Sequence, residues 1–368
     1  MKKNFTQRSV TFTLALGGLL LAACSPDAGL ENLNEVDNFK TLDLQAQSGD
    51  IKIDTELPAL EGYIFNDVPF NFANAVEPSA CAPTAFDEVI DASINSNLDY
   101  YGSLYYNTYA SINQIYSIIN QDEQYFGAEG QYTNYVAKRK RELEKFWDMS
   151  ALITLHGQHN STLNDVDKIA QAYMAAGYPE SSAYANANAF LQINEISTFL
   201  IESPLLSFDG FASSSDLIVI GDGIVELASK AGIEDKIVWS GILSHEWAHQ
   251  IQFDNMQEWY PNGAADNAPE DTRTTELEAD FFAAYYMTHK RGATYNWKRV
   301  QDFLELYFNI GDCSFTSSGH HGTPEQRMRS AEAGYELASS TFPKGKILSP
   351  DEVHELFLES LDDIVSGN

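Results

Sequence analysis

Within residues 242–252, ILSHEWAHQIQ, two histidines stand four apart with a glutamate directly after the first: His245, Glu246 and His249. On an α-helix, residues four apart share a face, so both imidazoles can point at one metal ion. Glu246, about 100° round the axis, leans toward the ion's open position, where a carboxylate can take a proton from metal-bound water. Zinc is the first ion to consider. With 8 His and 27 Glu in 368 residues, a random order would give this spacing about 0.01 times, so chance is set aside. Ile242, Leu243, Trp247, Ala248, Ile251 and Phe253 cover the remaining faces with apolar side chains, as a buried helix requires. The bland alternative is a core helix holding two satisfied histidines.

Two histidines leave a catalytic zinc one protein ligand short. Residues 269–292, PEDTRTTELEADFFAAYYMTHKRG, open with proline and acids and close on Lys290, Arg291 and Gly292. Apolar residues at helical spacing fill the interval, so the stretch reads as a second helix. Glu276 and Asp280 lie four apart on it. One can bind the metal while the other accepts the free ring N–H of a ligand histidine, fixing its tautomer and raising its basicity; Glu276 is the preferred ligand. Glu278 competes for that role, but sits about 200° from Glu276 and is expected to face away and leave the metal alone. A solvated acidic helix face is the competing reading.

HEWAHQIQ followed by ELEADFFAAYY resembles the gluzincin metallopeptidases, in which H-E-x-x-H precedes E-x-x-A-D or E-x-x-x-D on a second helix. With HHGTPEQR at 320–327, the order is most similar to the neutral zinc metallopeptidase family, where H-G-[ST]-x-E-Q-R follows E-L-x-A-D. The likeness spans residues 240–336. It implies a zincin-like peptidase domain that binds Zn2+ through His245, His249 and Glu276, with Glu246 as general base and Asp280 behind the ligands. Ala248 stands where that family commonly has Gly, and nothing upstream of residue 215 matches, so substrate preference does not carry over.

The elements that must position these residues begin beyond an export signal. Residues 1–23 have a basic start, an apolar run and small residues before Cys24, too short a run for a membrane span. LAAC resembles a bacterial lipobox, which implies lipidation at Cys24 and anchoring to a bacterial membrane or cell surface, outside the cytoplasm. Ser25 then points to the outer membrane in a two-membrane cell. An ordinary secretory signal is the alternative. The net charge of −31 becomes more negative on cleavage, and such a surface repels nucleic acid and anionic headgroups. No nucleic-acid partner is expected, and membrane contact runs through the lipid. Cys81 and Cys313 form an obvious disulfide pair in an oxidising compartment, with two free buried thiols as the alternative.

Residues 24–57 read as an acidic tether, and 58–368 as one α+β, mainly α domain with a small sheet. A helical half, about 84–205, precedes a metal-site half, about 206–340. Helices are expected at 100–120, 132–155, 166–176, 183–200 and 297–310. The basic run 138–141 precedes Glu142 and Glu144 and reads as an ion-paired, solvated helix face. His156 and His159, with a glycine between, read as a helix-end turn rather than a second metal site. Residues 216–220 are a β-branched run ending at Gly221-Asp222-Gly223, a strand and a turn. The resemblance would make that strand an edge for an extended peptide, against a plain core strand. The loop at 257–269 joins the two site helices and is placed to wall the cleft. Thr323 to Gln326 form a capping box opening a helix to about 338. His321, on the turn before it, is placed to hydrogen-bond an oxyanion; His320 competes, and loop packing is the bland reading.

These readings converge on a zinc-dependent peptidase acting on a protein or peptide. Two alternatives stand beside it: a non-catalytic, zinc-stabilised envelope lipoprotein serving as a chaperone or binding module, and a zinc hydrolase of a non-peptide amide. An intact Glu246 favours an enzyme.

Overall fold

The structure is a computed structural model that describes residues 51–57, 88–90, 92–93, 98–149, 153–264, 268–307, 322–340 and 343–367. Cys24, Cys81, Cys313, His320 and His321 lie outside these, as does the export segment.

Helix α1, Tyr100–Ile119, begins where the Asp99 carboxylate caps the Gly102 N–H at 2.8 Å. Its tyrosines other than Tyr100 are buried: Tyr109 stacks on Phe190 with centroids 4.0 Å apart, and its hydroxyl donates to Asn194 Oδ1 at 2.9 Å. Helix α2, Thr133–Phe146, carries the basic run, and Arg139 and Lys140 pair with Glu142 and Glu144 one turn on. The ion pairs expected there are present, but the face is only partly solvated, because Arg139 packs over the Tyr135 and Tyr295 rings.

The helix expected at 132–155 is a helix and then a strand. The α2 end is a Schellman closure in which Met149 N–H bonds the Glu144 carbonyl at 3.0 Å while Asp148 adopts φ 53°. An aspartate does there what glycine usually does, so the stop signal is missing from the sequence. Strand β1, Thr154–Gln158, follows, which also corrects the reading of His156 as part of a helix-end turn.

Helix α3 is Val166–Ala175 and α4 is Glu180–Asn194. The second stops short of the expected residue 200 because Asp99 draws the next turn inward, accepting from Ser197 Oγ and Thr198 N–H. Strands β2, Gly210–Ser213, and β3, Leu217–Gly221, complete a sheet of order β1-β3-β2. β3 pairs parallel with β1 and antiparallel with β2, so its backbone is engaged on both sides and it is not an edge for a peptide. Among the described residues β2 is the outer strand on the side of the site, and all four of its residues are buried. Gly221-Asp222-Gly223 is not a turn but the entry into α5, Asp222–Lys230. The glycines serve close approach: a Cβ on Gly223 would come 1.7 Å from the Pro204 carbonyl oxygen.

Helix α6, Asp235–Trp259, is buried without interruption from Ile237 to Gln252, which explains its apolar residues on every face. It packs on β2 and on α7, Ala268–Thr288. Beyond α8, Trp297–Tyr307, helix α9, Pro324–Ser340, lies against α7 so closely that a Cβ on Gly334 would meet the Phe281 carbonyl at 2.3 Å. The expected capping box opens α9: Gln326 N–H donates to Thr323 Oγ1 at 3.2 Å, and Thr323 N–H to Gln326 Oε1 at 3.0 Å. The last helix, α10, Pro350–Ser366, lies beyond the stretch assigned to the metal-site half and returns to α7, with Phe357 edge-on to Phe281. The architecture is α+β and mainly α, with one three-stranded sheet among the described residues.

Candidate metal centre

One turn of α6 sets the His245 and His249 Nε2 atoms 3.1 Å apart. From α7, Glu276 brings Oε2 to 3.4 Å from His245 Nε2 and Oε1 to 3.4 Å from His249 Nε2. All three side chains are buried, and their donor atoms lie within 4.8 Å of one another. A tetrahedral ion about 2.1 Å from each donor would spread them about 3.4 Å apart. The group is therefore sized for a metal ion.

What stands behind each imidazole differs. His245 Nδ1 lies 3.0 Å from Asp280 Oδ1, one turn after Glu276 on α7. Arg327 of α9 grips Asp280 with two parallel bonds, Nε to Oδ2 at 2.7 Å and Nη2 to Oδ1 at 2.9 Å, and reaches Glu276 Oε2 at 3.6 Å. A bidentate guanidinium–carboxylate pair holds both groups in one plane. His249 Nδ1 instead meets Gln252 Oε1 at 2.7 Å. A proton on Nδ1 would face an oxygen in each case, aligned for a hydrogen bond only at His249, and would leave the Nε2 lone pair turned toward the shared centre.

Glu278 corrects the sequence reading. It does point away from Asp280, but it is fully buried, and so are Glu276 and Asp280, so α7 shows no solvated acidic face here. Its Oε2 accepts from Gln252 Nε2 and from the Tyr260 hydroxyl, each at 2.9 Å, and its Oε1 lies 2.6 Å from His354 Nδ1. The residue expected to have nothing to do with the metal ligands is thus one amide away from His249. Tyr260, from the loop expected to wall the cleft, is turned inward to this carboxylate.

Burial alone would push both ligand histidines down, yet they are raised. For His245, the Asp280 and Glu276 carboxylates outweigh desolvation and push it up to about 9; Glu276 does the same for His249. The centre is therefore an anionic pocket that favours positive charge. Glu246, also buried, faces β2: a Cβ on Gly210 would stand 3.7 Å from its Oε1.

The remaining candidates are elsewhere. His156 Nδ1 bonds the Ser117 carbonyl at 2.7 Å, and His159 Nδ1 bonds Asp222 Oδ2 at 2.6 Å while its ring stacks on Tyr125. Each has its own partner and the two share no ligand. Of the HHGTPEQR segment, Gly322 packs beside Arg273 and Leu277 of α7, and Arg327 enters the centre.

Sequence reasoning missed Gln252, Tyr260, Arg327 and His354. Gln252 had a readable signal, three residues after His249 on the same helix; Arg327 stood in a quoted motif without a role. His354 had none, because its partner is remote in sequence. Comparison of the chain with family models, curated proteins and solved structures finds no match.

Proposed function

We propose that the protein is a zinc-dependent peptidase with a zincin-like fold. The observation that carries this reading is the buried His245–His249–Glu276 group with Glu246 next to its first histidine and turned toward the edge strand β2. Two imidazoles and one carboxylate at these spacings suit zinc, which prefers nitrogen donors in a tetrahedral set. Bound there, zinc would supply Lewis acidity, polarising a carbonyl and acidifying water.

The chain's own residues do the rest. Glu246 takes the proton from the attacking water and passes it to the leaving amine. Asp280 and Gln252 hold the two imidazoles in the tautomer that presents Nε2. His321 or a nearby tyrosine donates to the developing oxyanion. The substrate on this reading is a protein or peptide, and the acidic chain repels nucleic acid.

The same reading places the enzyme outside the cytoplasm, tethered at Cys24 to a bacterial membrane, the outer one where there are two, with Cys81 and Cys313 joined. Among the described residues no helix is long and apolar enough to cross a membrane.

Glu246→Gln is the test. The variant should keep stoichiometric zinc by elemental analysis and lose at least about 100-fold in peptide hydrolysis, followed by proteomics of an envelope extract. Undiminished cleavage overturns the assignment of the base. Stoichiometric zinc with no cleavage by either form supports instead the non-catalytic lipoprotein, and release of small amines without peptide cleavage the non-peptide amidase.

A further inference from the structure

Resting on the metal-site reading, we propose that a buried relay, His354 to Glu278 to Gln252, positions His249, and that the last helix is thereby part of the metal centre. None of the three touches the ion; they act through the ligand.

Gln252 is the pivot. Its amide can present either end to His249, and the two ends have opposite consequences. With Oε1 toward the ring, as here, Nδ1 carries the proton and Nε2 is free to bind. Turned over, the amide NH2 would face Nδ1 and force the proton onto Nε2, at the vertex where the metal belongs. The surroundings exclude the second arrangement. Gln252 Nε2 has two acceptors in front of it, the Thr275 carbonyl at 2.8 Å and Glu278 Oε2 at 2.9 Å. A flipped amide would set its own oxygen against both.

Glu278 does this without any access to water. A carboxyl group so placed needs partners for its oxygens. Tyr260 and Gln252 supply Oε2, and His354 Nδ1 supplies Oε1. His354 is itself fixed, lying flat on Trp259 with centroids 4.3 Å apart and an interplanar angle of 4°. Trp259 ends α6, the helix that carries His249, so α10 closes a loop of contacts back onto the element it supports.

The test measures zinc affinity by chelator competition on the full mature chain, alongside the melting temperature of the metal-free form. Gln252→Met and Glu278→Gln should each weaken zinc binding by about 10–100-fold, the scale for losing an outer partner of a ligand. The double variant should bind no worse than Gln252→Met alone, because the two act in series; independent packing defects would add. His354→Phe keeps the stack on Trp259 and removes the donor, and should weaken binding less, with His354→Gln restoring it. Affinities of Gln252→Met and Glu278→Gln within twofold of wild type overturn the relay, as does full additivity. If Glu278→Gln does not fold, Gln252→Met decides. Wild type and Glu276→Ala separate this from the underlying reading: a wild-type chain that binds no zinc refutes the centre itself, whereas loss only in Glu276→Ala refutes the relay alone.

Discussion

The two imidazoles of the candidate centre sit one turn apart on one helix, yet they are backed by different chemistry. His245 meets a carboxylate directly, and that carboxylate is clamped by an arginine from α9. His249 meets a neutral amide, with its carboxylate one step further off and a histidine from α10 beyond it. A carboxylate against Nδ1 both orients a ring and raises its basicity; an amide only orients it. The first support therefore governs charge at the centre, and the second governs geometry.

The largest effect should come from cutting the charged support. Arg327→Met takes the guanidinium from buried Asp280 and Glu276 and leaves His245 as their remaining positive neighbour, and removing one partner of a buried pair typically costs about 3–5 kcal/mol. Urea denaturation of the metal-free protein should show a loss of that order, and a loss under about 1 kcal/mol would mean that water compensates the two acids.

Next comes Asp280→Asn, which keeps the shape and removes the charge. Zinc affinity should fall about 10–100-fold, and a pH signature should disappear with it. In the metal-free protein His245 is raised to about 9, so its contribution to stability is complete below its ordinary value near 6.5 and is lost as pH rises through 9. Stability measured from pH 6.5 to 9.5 should fall less steeply in Asp280→Asn than in wild type. Gln252→Met should leave that slope as it is; if it flattens the slope equally, the division between charge and geometry fails.

Smallest is Tyr260→Phe, which deprives Glu278 of one donor of three. A cost of about 1–3 kcal/mol is expected from the missing hydrogen bond. Zinc affinity should change by less than about threefold, because the amide pivot remains held; a tenfold change would make the hydroxyl part of the relay.

The sequence disclosed the centre where chemistry follows local spacing. His245 and His249 are four apart on one helix, as are Glu276 and Asp280 on the next, and helix geometry alone brings each pair to one face. It failed where partners come from far along the chain. In a chain with 53 acidic residues, no pattern marks Asp280 as the acid that meets Arg327, or Glu278 as the one that meets His354. The helical wheel gave the right direction for Glu278 and no account of what lay in that direction, since α7 is covered on both sides by α6, α9 and α10. Strand β1 was hidden because Asp148 takes the conformation usually signalled by glycine. The central position of β3 was hidden because it depends on β1.

That both supports are completed from α9 and α10 has a consequence in time. A chain is made from its N-terminus, so His245, Glu246 and His249 emerge first, then Glu276, Glu278 and Asp280, and only later Arg327 and His354. Until those partners arrive, three carboxylates of α7 would have to enter the interior against their preference for water. That cost opposes the docking of α7 on α6. The centre thus matures late, once nearly the whole chain has been delivered, and a nascent chain carries both histidines well before it holds the pocket that makes them ligands.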